Sequence, residues 1–346
     1  MGVERTATEI VKYYSGRPIR VMEVCGTHTH AIFEHGIRNI LPENIHLISG
    51  PGCPVCVTET GFIDEAVWLA LERKATVTTF GDLVRVPGTE MSLAGARAKG
   101  GKIRIVYSPL DAVSYAVDHP NEDVVFLSVG FETTVPAACL AVKRAKDSGI
   151  TNFSLLTANK TMDLAYRVLK GSADAFLYPG HVSAITGMGV YEELKAEGIS
   201  GVVCGFTADE IMTALAIIVT KIESGVAFVV NAYPRVVTEE GMPAGRKLMA
   251  EIMEPCEAVW RGIGAIEGSG LKLRQEYADY DARIVHSIPE VQGRPNSACR
   301  CGDVLMGRIK PYECPLFGKV CTTEHPVGAC MVSSEGTCSA YYKYNI

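Results

Sequence analysis

The sequence predicts an α/β fold built on parallel sheets, followed by a cysteine-rich region of different character. Three observations lead there. Short apolar, β-branched runs alternate with helix-like stretches, separated by Gly, Pro or small polar residues. After about residue 235 that alternation stops. Six of the twelve cysteines then fall between Cys299 and Cys338. Strand, breaker and helix in repeated order imply crossover connections, and crossovers give parallel sheets.

The alternation runs in order along the chain. IRVMEV leads into CGTHTHAIFEHG, IHLIS into GPGCPVCVTETGFIDEAVWLALE, and ATVTTF into GDLVRVPGTEMSLAGARAKG. IRIVYS leads into PLDAVSYAVDH, VVFLSV into GFETTVPAACLAVKRAK, and NFSLLTA into NKTMDLAYRVLK. AFLYP then leads into GHVSAITG, and GVVCGF into TADEIMTALAIIVTKIES. The unit repeats in structure with little sequence identity, unlike a solenoid. A first α/β domain is expected over 20–120, with CGTHTH and GPGCPVC, and a second over 121–235, with GFETT and PGHVS. The third spans 236–346, and 1–19 can attach to it. There VTEEGMPAGRKLMAEIMEPCEAVWRG reads as helices, GIGAIEGSGLKL as a Gly-rich loop, and Tyr277 to Tyr280 as a polar connector. From Ser297 onward Cys, Gly and Pro dominate, so a metal or cross-links are expected to organise the segment.

Composition narrows the function. Hydrophobic residues make up 47% of the 346, enough for a sizeable core. A net charge of −6 lacks the basic excess of a general nucleic-acid binder. No apolar run reaches the ~20 residues of a membrane span. The longest candidate, from Ile211 to Thr220, follows Asp209 and Glu210 and reads as a buried helix. The opening MGVERTATEIVKYY is charged and amphipathic, without a signal-peptide apolar segment. A cytoplasmic protein is therefore expected, with no nucleic-acid or membrane partner. In that compartment clustered cysteines point to metal or redox chemistry rather than disulfides.

In open parallel sheets ligands gather at the carboxyl ends of strands, and the unusual residues fall there. Cys25 and His28 follow one strand, Cys53 and Cys56 another, Glu132 a third and His181 a fourth. CGTHTH concentrates a thiol, imidazoles and hydroxyls on what reads as an exposed loop; thiolates suit soft or borderline metals, and imidazole serves as ligand or base. GPGCPVC is a CxxC whose sulfurs can share one metal or each other. It is the only CxxC, which argues against a four-cysteine zinc site. Glu132 is a candidate proton relay, while Thr133 and Thr134 can instead simply cap the next helix. His181 is a candidate acid/base, or packs and caps. No phosphate-loop motif is present. The wide intervals of the C-terminal cysteines suit a [4Fe–4S] cluster, with Cys314, Cys321, Cys330 and Cys338 as expected ligands. Cys299 and Cys301 are then nearby redox thiols. Cys139, Cys204 and Cys256 read as small core residues.

Taken in order, CGTHTH, GPGCPVC, GFETT, PGHVSAITG and CPLFGKVCTTEHPVGACMVSSEGTC resemble the HypD family of [NiFe]-hydrogenase maturation proteins, from about Val21 to Tyr344. The resemblance implies two related α/β domains plus a cysteine-rich C-terminal domain holding the [4Fe–4S] cluster. It implies a scaffold on which iron receives cyanide and carbon monoxide as a transient Fe(CN)2CO unit. A HypC-type chaperone would bind it, and a HypE-type protein would donate cyanide. By motif, Cys25 would help hold the iron with His28 close by. Cys53 and Cys56 would be further iron ligands or a redox pair. Glu335 and Cys338, in SSEGTC, would belong to the essential C-terminal motif. The competing reading is a [4Fe–4S]-dependent thiol-disulfide oxidoreductase.

Overall fold

The computed structural model describes residues 6–344. Its strands are β1 Ile19–Glu23, β2 Ile45–Ser49, β3 Thr76–Thr79, β4 Ile103–Ile105, β5 Val124–Ser128, β6 Phe153–Thr157, β7 Ala175–Pro179, β8 Gly201–Cys204, β9 Val229–Asn231, β10 Met253–Trp260 and β11 Gly264–Leu273. The first nine form two parallel sheets, ordered β2–β1–β7–β8–β9 and β4–β3–β5–β6. Strands β3, β5, β6, β7 and β8 are buried throughout. Helices cover both faces of such sheets, so their strands read as unbroken apolar runs.

The two sheets share one winding. β1 is flanked by β2 and β7, and β3 by β4 and β5, so each order turns back at the middle. A crevice opens at such a switch point, beyond the carboxyl ends of the two central strands. In the first sheet Cys25 lies beyond β1 and His181 beyond β7. In the second, Asp82 lies beyond β3 and Glu132 beyond β5.

The chain does not fill the sheets in the order expected. Residues 20–120 supply β1 and β2 to one sheet and β3 and β4 to the other. The second sheet is inserted between β2 and β7 of the first. A division at 120/121 therefore does not follow the hydrogen bonding. Alternating periodicity reports that strands exist, not which pair, and pairing here joins β1 to β7 across the whole insertion.

Two further expectations change. The helix expected to run through MEPCEAVW ends at Ile252, and Met253–Trp260 is a strand. The Gly-rich loop is its antiparallel partner β11. From Glu254 to Trp260, β10 alternates between more and less buried positions, a period of two. In β11 the missing side chain of Gly270 matters, because a Cβ there would lie 2.9 Å from that of Ala258 and 3.0 Å from the Cys256 sulfur. Likewise CGTHTH is no exposed loop: Cys25 caps the helix Gly26–Glu34, and His28 is completely buried.

The cysteine-rich segment packs short helices onto the sheets. Phe33 of Gly26–Glu34 meets Tyr341 edge-on and stacks on Tyr344. Its cysteines are all free thiols, and Val304, Leu305, Met331 and Ala340 are buried, so apolar packing rather than cross-linking orders it. Among the described residues no helix is long and apolar enough to cross a membrane.

Candidate functional site

Three distant motifs meet beside β1. Cys25 sits at the N-cap of Gly26–Glu34 in extended conformation. Two glycines let the neighbouring loops close on it. A Cβ on Gly52 would lie 2.1 Å from the Cys25 nitrogen, and one on Gly26 would lie 2.2 Å from the Glu335 carbonyl oxygen. The Thr27 hydroxyl donates to Glu335 Oε1 at 3.3 Å. GPGCPVC, CGTHTH and SSEGTC are thus in backbone contact. Burial pushes the Cys25 thiol up to about 12, and Glu335 adds to this; the amides of Thr27 and His28 pull the other way. Burial also raises the Glu335 carboxyl.

His28 Nε2 lies 2.9 Å from the Gly205 carbonyl oxygen. A carbonyl only accepts, so the proton is assigned to Nε2. Nδ1 then keeps a lone pair, and it is buried with no partner. Burial holds the ring near pKa 4, hence neutral. Its Nε2 also lies 3.4 Å from the Cys204 sulfur. The ring packs on Phe206 at 4.6 Å, and His181 packs on Phe206 at 5.0 Å. His181 too is pushed down to about 4 by burial. The sequence places Cys204 in the core, and it is fully buried in the apolar cluster there; its neighbour His28 is what the sequence did not show. The position of Cys204 as the last residue of β8 was the available signal, since strand ends carry the other thiols.

The CxxC forms a single helical turn, Pro54–Val57, with Cys53 as its N-cap. The two sulfurs are 2.7 Å apart, and the Cys56 amide donates to the Cys53 sulfur at 3.2 Å. The Cys53 thiol donates to Ser333 Oγ, whose hydroxyl donates to Asp82. Asp82 also accepts from the amide and hydroxyl of Ser334. Burial disfavours ionising either thiol. For Cys56 the contacts of Cys330 and Cys53, with the Arg261 charge, outweigh that and lower it. Cys53 is driven up by burial and by Cys56. The pair therefore shares a proton, with the negative charge favoured on Cys56.

The sulfurs continue inward. Cys330 lies 2.9 Å from Cys301, and Cys338 and Cys56 act on it as well; together with Cys301 they raise its thiol. Cys299, Cys301, Cys314, Cys321, Cys330 and Cys338 all line one apolar chamber, with Val304, Leu316, Phe317 and Met331. No group of three or more His, Cys, Asp or Glu side chains among the described residues is set at metal-binding geometry.

Glu132 stands apart from the thiols. Its Oε1 accepts the Met162 amide at 2.8 Å, while Oε2 is buried without a partner. Burial raises it to about 7. The buried Tyr166 phenol lies within electrostatic reach of both Glu132 and Cys25. Thr134 does occupy the N-cap of Val135–Asp147, yet its hydroxyl bonds to the Phe131 carbonyl rather than capping.

A family model described as the hydrogenase formation hypA family, HypD, matches residues 2–345. The chain belongs to the HypD family. It is 42% identical over 342 residues to the hydrogenase maturation factor HypD of Cupriavidus necator, covering 95% of this chain and 90% of that protein. The HypD of Escherichia coli is 40% identical over 342 residues, covering 96% and 91%. A putative hydrogenase expression/formation protein of Methanocaldococcus jannaschii is 40% identical over 333 residues, covering 94% and 92%. The motif loops that meet at Cys25 thus belong to a chain that is HypD-like from end to end.

Proposed function

We propose that the protein is a scaffold and redox protein in [NiFe]-hydrogenase maturation. On it the Fe(CN)2CO unit is assembled, with a HypC-type chaperone bound and cyanide accepted from a HypE-type protein. The observation that carries this is the closing of the GPGCPVC loop on Cys25, with the Cys53 and Cys56 sulfurs 2.7 Å apart and Cys56 interacting with Cys330 of the six-cysteine chamber.

The labour divides by geometry. Cys25 is the ligand for the cargo iron: it stands at a helix N-terminus, whose amides partly offset the burial that keeps it a thiol, and iron would bind it with loss of the proton. His28 Nδ1 and His181 stand by as neutral bases. The 2.7 Å approach of Cys53 and Cys56 favours a dithiol/disulfide pair over two iron ligands. The donor set of the chamber, six cysteines in an apolar lining, fits a [4Fe–4S] cluster. Thiolates on four corners of a cluster cannot touch one another. Cys330, 2.9 Å from Cys301 and electrostatically linked to Cys338 and Cys56 as well, is therefore the poorest ligand. We assign the cluster to Cys299, Cys314, Cys321 and Cys338, and the relay to Cys301 and Cys330, in place of the set expected from spacing. A cluster held there would supply electrons singly. The residues then act by thiol-disulfide exchange. A Cys330 thiolate attacks the Cys56 sulfur of a Cys53–Cys56 disulfide, and Cys53 leaves as thiolate. Cys301 then attacks Cys330 and frees Cys56. Two electrons move to the CxxC, and the Cys301–Cys330 disulfide remains for reduction.

Anaerobic purification with the HypC-type partner, followed by infrared spectroscopy, tests the scaffold. Bands of metal-bound CO and cyanide are expected. Their absence, together with reduction of a generic disulfide, would instead support the oxidoreductase reading that the Cys53–Cys56 contact also favours. For the ligand assignment, Cys314→Ser should abolish iron and labile sulfide, while Cys330→Ser should keep both and stop reduction of the CxxC. Loss of the cluster in Cys330→Ser would overturn the division.

A further inference from the structure

The turn joining β10 and β11 has no part in the reaction as described, yet it touches both thiol pairs. Trp260 anchors it: the ring is fully buried, stacks on Phe131, and its indole donates to Ser269 at 2.8 Å. The next residue, Arg261, grips the end of the CxxC helix. Its amide donates to the Val57 carbonyl at 2.8 Å, and its Nε donates to the Thr58 carbonyl at 2.9 Å. Gly262 follows in left-handed conformation, φ +80°, and a Cβ there would lie 2.1 Å from the Cα of Gly302, the neighbour of Cys301. The turn is wedged between the segment of Cys56 and the segment of Cys301.

The rest of the Arg261 side chain is anomalous. Nη2 is buried and has no hydrogen-bond partner, and no carboxylate among the described residues pairs with the guanidinium, although the residue as a whole is half-buried and borders a cavity with Arg294 and Arg300. A buried donor on a cation, left without a partner, is costly. The groups that feel its charge are the thiols of Cys56 and Cys301 and the ammonium of Lys160. Lys160 repels it. Asp82 also acts on Cys56, but its carboxylate is taken by Ser333 and Ser334. Of the groups that feel its charge, the two thiols are the ones that can become anions beside it.

We propose that Arg261 is the resident counter-ion for negative sulfur passing between the Cys301–Cys330 and Cys53–Cys56 pairs, and that the β10–β11 turn sets the spacing of the two pairs. Arg261 is a positioning residue in this role, acting on the thiols rather than on the cargo. The inference rests on the relay reading above. The carbonyl bonds orient the guanidinium, leaving its free edge for sulfur. Charge developed on Cys56 as it leaves the mixed disulfide meets a cation already in place, so little reorganisation accompanies the exchange.

The full chain, loaded with its cluster under anaerobic conditions, is compared with Arg261→Met and Arg261→Lys. Each is equilibrated in dithiothreitol redox buffers and quenched in acid, and the Cys53–Cys56 disulfide is quantified by mass spectrometry. Arg261→Met is expected to lower the equilibrium constant for reduction about tenfold, which is a potential about 30 mV more negative. Arg261→Lys, which restores charge but not shape, is expected to stay within about threefold of wild type. A wild-type potential in Arg261→Met overturns the proposal, and so does an equal shift in Arg261→Lys. Thermal unfolding of each variant reports folding, and Arg261→Gln replaces Arg261→Met if the latter is unstable. Failure of the relay itself is read separately: it is the case in which Cys330→Ser still passes electrons to the CxxC.

Discussion

Cys25, His28, Cys53 and Cys56 stand out in the sequence one residue at a time, because thiols and imidazoles after strands are chemically unusual, whereas Glu335 enters only through the family resemblance. Cys204 and Arg261 do neither. A cysteine closing an apolar strand looks like core, and an arginine after a tryptophan looks like surface; only the fold brings one to His28 and the other to Cys56. Burial of the histidines has a consequence for stability. His28 and His181 are held near 4, below the ordinary 6.5. The unfolded chain therefore binds protons that the folded chain refuses, so stability is lost as pH falls from about 6.5 towards 4. Glu132 has the opposite sign. Its pKa is raised from 4.5 to about 7, so the folded chain holds a proton that the unfolded chain releases, and stability falls as pH rises through that window. Glu132→Gln keeps an acceptor for the Met162 amide and removes the titration. Relative to wild type it should gain up to roughly 3 kcal/mol between pH 4.5 and 7. Denaturant unfolding at both pH values checks this, and a pH-independent difference would mean that the carboxyl is already ionised at low pH.

At the scale of elements, the parallel strands declared themselves through continuous apolar runs, and β1 to β8 begin where periodicity places them. The β10–β11 hairpin did not. Met253–Trp260 follows a true helix without a breaker, and β11 holds so many glycines that it resembles a loop. Gly270 in β11 and Gly262 in the turn answer to cross-strand and cross-segment crowding, which no local pattern reveals. Gly262 is the sharpest case, since it needs both a positive φ and room against Gly302. Gly262→Ala is expected to cost about 2 kcal/mol or more, from backbone strain plus displacement of the turn. A shift in the urea midpoint at unchanged slope reads it. A variant as stable as wild type would show that the turn can move away from Cys301 freely.

For the whole molecule, the fold class was visible and the partition was not. Two sheets with the same winding give the same repeated sequence signal whether they are consecutive or nested, so the nesting of β3–β6 between β2 and β7 had to come from pairing. It follows that residues 1–120 are not an independent unit. β1 in that fragment lacks β7, and β3 lacks β5. The fragment should show no cooperative thermal transition by circular dichroism; a sharp one would mean that two-strand pairs suffice. The nesting also shares the core, since one apolar cluster runs from Met22 and Cys56 to Trp260 and Cys330.

The hydrogen bond from Cys53 to Ser333 spans 280 residues. At synthesis speeds of ~5–20 residues per second, roughly 15–60 s separate the emergence of its two ends from the ribosome. During that interval a nascent chain presents Cys25, Cys53 and Cys56 without Asp82's serine partners, without Glu335 and without the inner sulfurs. His28 and Asp82 are already present, but the segment that closes over Cys25 and Cys53 arrives last, so the enclosed site exists only in a chain whose 330s have already been made.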